Sequence, residues 1–126
     1  MNHILVVDDE ENMRNALTFL LEAEGYRVTT AESGRRALQK VLEEPVDLVI
    51  TDIVMPDMDG LELIDELRRL ALEVPVLVIT AYGSERMKQE LKRRGIAGYL
   101  SKPFEGEELL ARVAALLAGG RRCEGQ

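Results

Sequence analysis

The chain predicts an α/β fold, a parallel sheet covered by helices on both faces. Three observations predict it. Five strand-like runs alternate with five helix-like runs, the order that parallel βαβ units produce. Three of the strand-like runs are near-continuous Val, Ile and Leu, as expected of central strands covered on both faces. These apolar runs also end in groups that carry chemistry. Asp8 and Asp9 close Ile4-Leu5-Val6-Val7, Asp52 closes Leu48-Val49-Ile50-Thr51, and Val76-Leu77-Val78-Ile79 ends in Thr80. Strand ends lie side by side at one edge of a parallel sheet, and ligands bind there.

Taken in order, the strands are expected at residues 3–8, 26–30, 46–51, 75–80 and 97–101. Tyr26-Arg27-Val28-Thr29-Thr30 alternates polar and apolar, which suits an edge strand. The helices show apolar stripes at helical spacing: Met13, Leu17, Leu20 and Leu21; Ala37, Leu38, Val41 and Leu42; Leu61, Ile64, Leu67 and Ala71; and Leu109, Leu110, Val113, Leu116 and Leu117. These read as core and carry no chemistry. Gly25, Pro45 and Gly95 stop the first, second and fourth helices. Ser33, Asp59 and Ser84 are placed to cap the second, third and fourth. The helix at 84–94 offers only Met87 and Leu91 as strong apolar anchors, so it should be the least firmly docked.

A length of 126 residues fits one domain, with residues 1–118 as its body and 119–126 as a flexible tail or the start of a linker. No apolar run approaches the ~20 residues of a membrane span. Met1-Asn2-His3 leads straight into a strand pattern, so no signal peptide is expected and the cytoplasm is the default location. Cys123 is the sole cysteine and has no partner for an internal disulfide. The net charge of −7 argues against direct nucleic-acid binding by this domain. Locally, Arg86, Lys88, Lys92, Arg93 and Arg94 cluster on one helix, which fits a solvated face or a contact surface for a protein partner.

Three carboxylates crowded at one edge repel one another unless an oxygen-preferring cation joins them. Mg²⁺ fits, because it takes few protein carboxylates and keeps several waters. Acids at 8–11 could simply complement a helix dipole, which accounts for Glu10 and Glu11 but not for Asp52, since a loop rather than a helix follows it. An aspartate beside Mg²⁺ can act as a nucleophile on phosphorus, with a lysine neutralising the equatorial oxygens. Lys102, between a strand end and Pro103, can supply that charge, and a cis Lys102-Pro103 bond would aim it inward.

These residues together resemble a receiver domain of two-component response regulators over about residues 3–118. The resemblance is carried by Ile4-Leu5-Val6-Val7-Asp8-Asp9-Glu10, by the run from Val49-Ile50-Thr51-Asp52 through Val54-Met55-Pro56-Asp57-Met58-Asp59-Gly60, by Thr80-Ala81, and by Tyr99-Leu100-Ser101-Lys102-Pro103-Phe104. The family implies a doubly wound, flavodoxin-like receiver fold with five helices and a five-stranded parallel sheet in the order 2-1-3-4-5. It implies Asp52 as phosphoacceptor, Asp9 as a direct Mg²⁺ ligand, Asp8 as a ligand through water and the Val54 carbonyl as a further ligand. Lys102 then pairs with the phosphoryl group, Thr80 hydrogen-bonds it, Ala81 leaves access, and Tyr99 turns inward when Thr80 is drawn over. Tyr99 can also be read as a half-buried edge-strand aromatic.

The same resemblance implies a sensor histidine kinase as donor, a homodimer through the face of residues 84–101, and a covalently linked output domain. The Ala81-Tyr82-Gly83-Ser84 run and the motif ending Gly60-Leu61-Glu62-Leu63 look most like receivers of enhancer-binding transcription activators. His3 is read as structural. Three rivals compete. An aspartate-nucleophile phosphatase would want an acid where Val54 stands. A flavin binder would want a Gly/Ser/Thr phosphate loop after the first strand. An interaction module that is never phosphorylated would not need the five intact positions Asp8, Asp9, Asp52, Thr80 and Lys102.

Overall fold

The computed structural model describes residues 2–120 except 71, 82 and 97. In chain order it runs β1 (His3–Val7), α1 (Glu11–Ala23), β2 (Arg27–Ala31), α2 (Gly34–Glu43), β3 (Leu48–Thr51), α3 (Gly60–Arg69), β4 (Val76–Thr80), α4 (Glu85–Arg93), β5 (Gly98–Ser101) and α5 (Gly106–Gly120). The five strands are parallel and ordered β2-β1-β3-β4-β5, as expected. β2 is an edge strand, and its half-buried residues account for the polar alternation of its sequence.

Every residue of β1, β3 and β4 is buried, because helices cover both faces of the sheet. Alternate side chains serve two cores. Leu5, Val7, Val49, Val76 and Val78 pack with Ala37 of α2, with Leu63, Ile64 and Leu67 of α3 and with Leu91 of α4. Ile4, Val6, Leu48, Ile50, Leu77 and Ile79 pack with Leu17 and Leu21 of α1 and with Leu109, Val113 and Leu117 of α5. Apart from His3, Thr51 and Thr80 at the strand ends, the side chains on both faces of the central strands are therefore apolar.

Several local expectations hold. Ser33 accepts the Arg36 N–H, Ser84 accepts the Met87 N–H, and Asp59 accepts the Glu62 N–H. Gly25 and Gly95, directly after the first and fourth helical segments, have positive φ. His3 is structural: its ring lies 2.7 Å from Thr29 Oγ1 and 3.0 Å from the Pro45 carbonyl, tying β1 to its neighbours away from the acidic edge.

Other expectations are corrected. Leu42 is 65% exposed rather than core. It follows Val41 by about 100° of helix rotation, beyond the face that meets the sheet. Leu63, absent from the expected stripe of α3, is fully buried. The last helix extends to Gly120, two residues into the expected tail. Ala71, Tyr82, Cys123 and the rest of the tail from 121 lie outside the described residues. Among the described residues, no helix is long and apolar enough to cross a membrane.

Candidate functional site

The site is assembled by the backbone ladder running one residue past the strand ends. Val7 and Thr51 are register partners, and so are Thr80 and Ser101. Beyond them, the Asp8 N–H donates to Ala31 O at 3.1 Å, Asp52 N–H to Val7 O at 3.2 Å, and Lys102 N–H to Thr80 O at 3.0 Å. Asp8, Asp52 and Lys102 are thereby set at one edge by main-chain bonds that depend little on their side chains. The Lys102-Pro103 peptide is cis.

Their side chains meet. Lys102 Nζ lies 2.7 Å from Asp52 Oδ2 and 3.6 Å from Asp8 Oδ2. The other oxygen of each carboxylate is held by backbone. Asp52 Oδ1 accepts the Ile53 and Val54 N–H groups at 2.6 and 3.2 Å, and Asp8 Oδ1 accepts the Glu10 N–H at 2.9 Å. Each carboxylate is thus fixed through one oxygen and presents the other to the ammonium. Asp8 and Asp52 are both buried, at 3% and 9% exposure, while Asp9 is exposed.

Burial raises the Asp8 carboxyl above its ordinary value. The Glu10 N–H and the Lys102 charge oppose that rise, and the charges of Asp52 and Asp9 add to it. For Lys102, burial acts to lower its value, but the Asp52 hydrogen bond and the charges of Asp8, Asp52 and Glu10 outweigh it and leave it raised. The edge therefore holds more negative charge than its one lysine balances.

The available donors are hard oxygens: the carboxylates of Asp8, Asp9 and Asp52 and the main-chain carbonyl of Val54. That set suits a hard divalent cation. Among the described residues, no three carboxylate, imidazole or thiol groups form a ready cage. A cation that keeps most of its waters needs only one or two carboxylates, so this donor set fits it without such a cage.

The remaining expected residues fall around this centre. Thr80 is fully buried at the end of β4, Ala81 is exposed beside it, and Val54 is 54% exposed on the loop after Asp52. Pro103 is exposed. Tyr99 is the register partner of Val78 and so shares a face with Val78 and Thr80. Its ring packs into the core under α4 and its hydroxyl is buried.

One residue near the site escaped sequence reasoning. Arg14 Nη1 donates to the Asp8 carbonyl at 2.8 Å, bracing the chain where β1 turns into α1. An arginine in the first turns of an acid-led helix was the available signal. Most of the basic cluster on α4 turns out to be neutralised. Lys88 pairs with Glu85, Arg93 with Glu90, and Arg94 with both Glu90 and Asp65.

The fold and its edge define the class: a doubly wound α/β domain whose strand ends gather two buried carboxylates, a third acid and a lysine. The chain belongs to the response regulator receiver domain family, whose model matches residues 4–114. It is 42% identical over 114 residues to the alkaline phosphatase synthesis transcriptional regulatory protein PhoP of Bacillus subtilis, covering 90% of this chain and 48% of that protein. It is 40% identical over 117 residues to the transcriptional regulatory protein CpxR of Klebsiella pneumoniae, covering 93% and 50%. Among solved structures, Vibrio cholerae chemotaxis protein CheY4 superposes with a TM-score of 0.87 at 37% identity, covering 91% of this chain and 98% of that one. The chain spans about half the length of these two curated relatives.

Proposed function

We propose that this receiver domain takes a phosphoryl group on Asp52 from a phosphohistidine of a sensor histidine kinase, and that the modification repositions α4 and β5. The observation that carries the proposal is the Lys102 ammonium 2.7 Å from Asp52 Oδ2, with Oδ1 tied to two backbone N–H groups. Oδ2 is then the attacking oxygen. The Oδ2–P bond forms as the P–N bond of the phosphohistidine breaks, and the departing imidazole takes a proton from solvent. Lys102 turns to the phosphoryl oxygens, and burial of the edge strengthens that attraction. A bound Mg²⁺ would supply charge neutralisation at the same oxygens, held by Asp9, Asp52 and the Val54 carbonyl, with Asp8 reached through water.

In this reading Thr80 hydrogen-bonds the phosphoryl group, and Ala81 leaves the approach open. Tyr99 is expected to turn inward only when Thr80 is drawn over, but it already lies inward without a phosphoryl group; in this reading Thr80, on the same face of the β4–β5 pair, holds that pose rather than creating it. The domain is a switch, and hydrolysis of its own aspartyl phosphate is the only turnover proposed for it. Two curated relatives named as transcriptional regulatory proteins support a linked output domain and a cytoplasmic setting. The enhancer-binding subtype rests on the Ala81–Ser84 run and the motif ending Gly60-Leu61-Glu62-Leu63. Arg86 and Lys92, which make no ion pair among the described residues, leave the face of residues 84–101 free to pair two copies once phosphorylation has repositioned α4. Direct nucleic-acid contact by this domain stays disfavoured by its charge of −7.

The test is intact-mass measurement after treatment with acetyl phosphate, with Mg²⁺ or with EDTA. One phosphoryl mass is expected on the wild-type chain in Mg²⁺ only. A stable gain of equal size on Asp52→Asn would remove Asp52 from its role.

A further inference from the structure

The loop between β4 and α4 meets Tyr99 at Gly83. A β-carbon built on Gly83 would lie 1.6 Å from the Tyr99 hydroxyl oxygen, 2.9 Å from the ring carbon bearing it and 3.4 Å from Ser101 Oγ. The phenol tip therefore occupies the volume that a side chain at 83 would need. The hydroxyl in question is buried and makes no hydrogen bond among the described residues. Meanwhile the ring packs against the core under α4, and Lys88 Nζ sits 5.8 Å from its centroid.

These contacts pull in opposite directions. Ring burial and the ammonium over the ring favour the inward pose. An unpartnered buried hydroxyl disfavours it. With contacts opposed in this way the pose is open to a steric term, and position 83 is where that term enters.

We propose that Gly83 is a positioning residue of the switch: the missing side chain at 83 is what admits Tyr99 to its inward pose, and a β-carbon there drives the phenol into solvent. The proposal rests on Tyr99 being the aromatic whose inward pose Thr80 holds in the proposed function, but it concerns the unphosphorylated protein and is tested without phosphorylation. Overlap at 1.6 Å cannot be relieved by a shift of a few tenths of an ångström. Either the ring leaves or the loop backbone moves.

The chain has three tyrosines and no tryptophan, so Tyr26→Phe and Tyr82→Phe leave Tyr99 as the sole emitter. Acrylamide quenching of that emission, in EDTA, is compared with and without Gly83→Ala, with circular dichroism confirming the fold. The expected result is protected emission in the parent and a several-fold larger quenching constant with Gly83→Ala. Unchanged quenching in a folded Gly83→Ala protein would mean the loop yields instead, and would overturn the proposal. So would a parent whose Tyr99 is already quenched like free tyrosine.

A second measurement covers the case in which Gly83→Ala folds poorly. The drop in melting temperature caused by Gly83→Ala should be smaller in a Tyr99→Phe background, where the shortest overlap is gone. Equal drops in both backgrounds would contradict the coupling. Beryllofluoride with Mg²⁺ then separates the two ideas. If Gly83→Ala exposes Tyr99 while beryllofluoride leaves the parent's amide exchange between residues 80 and 104 unaltered, the role of Gly83 stands and the switching mechanism falls.

Discussion

Helices α3 and α4 cover neighbouring parts of one sheet face and are nearly equal in length, at 10 and 9 residues, yet they are held differently. α3 buries Gly60, Leu63, Ile64 and Leu67 and begins in a reciprocal capping box between Asp59 and Glu62. α4 buries only Leu91 and begins on the single acceptor Ser84. Its ion pairs run mostly within the helix, and such exposed pairs add little. Among the described residues, the ion pair that leaves this segment is that of Arg94 with Asp65 of α3, at 2.9 Å. The difference teaches where a switch can store its motion. The loop carrying Asp52 leads into the firm helix, while the hydroxyl of Thr80 leads into the loose one. A site that must keep its geometry and also move something needs both.

The largest effect should separate the two helices directly. Leu63→Ala should cost about 3 kcal/mol of global stability in denaturant titration, the usual cost of a large-to-small change in a packed core. Leu91→Ala should cost clearly less, because α4 can open locally and spare the rest of the fold. Its signature would instead be fast amide exchange over residues 85–96. Equal global costs, with no local opening, would mean that the two helices are docked alike.

The acidic edge gives the next effect, with the opposite sign. Asp8 is raised by burial, so above its folded value it destabilises the metal-free protein. As pH rises from its ordinary 3.8, the unfolded chain loses the proton first, and the penalty grows until the folded value is passed. Asp8→Asn in EDTA should therefore raise the melting temperature by several degrees at neutral pH and by little below pH ~3.8. Lys102 runs the other way. Its raised value contributes stability in full below its ordinary 10.5, lost as pH climbs through the folded value. Lys102→Met should accordingly destabilise at neutral pH and lose that effect in strong alkali. A melting temperature that Asp8→Asn lowers at neutral pH would contradict the crowding of Asp8.

The smallest effect concerns the ion pair between Arg94 and Asp65 of α3. Asp65→Asn should cost about 0.5 kcal/mol, fading with added salt. Its clearer trace should be faster exchange at the C-terminal end of α4.

Much of this was legible from residue order, and the reasons are physical. β1, β3 and β4 are covered on both faces, so their runs are unbroken and whatever chemistry they carry must sit at their ends. That logic puts Asp8, Asp52 and Thr80 at one edge of the sheet. Ser33, Asp59 and Ser84 were visible as caps because capping is local. Other features depend on distances that no local pattern encodes. Leu42 sits on the last turn of α2, where one residue more of rotation leaves the sheet behind. Arg94 looked like one more charge in a basic cluster, yet it bonds Asp65, 29 positions away. Arg14 reaches a main-chain carbonyl, which sequence does not mark. The engagement of Lys102 with both Asp8 and Asp52 was expected only as charge placed near charge.

The central claim is that modification at the Asp52 edge is transmitted to the loosely held side and leaves the firmly held side unmoved. Amide hydrogen exchange read residue by residue, with and without beryllofluoride and Mg²⁺, tests it most directly. The account predicts altered protection between residues 80 and 104, blunted in Thr80→Ala, with β1, β3 and α3 unchanged away from the ligand itself. A change centred on residues 33–45, or an equal response in Thr80→Ala, would contradict it.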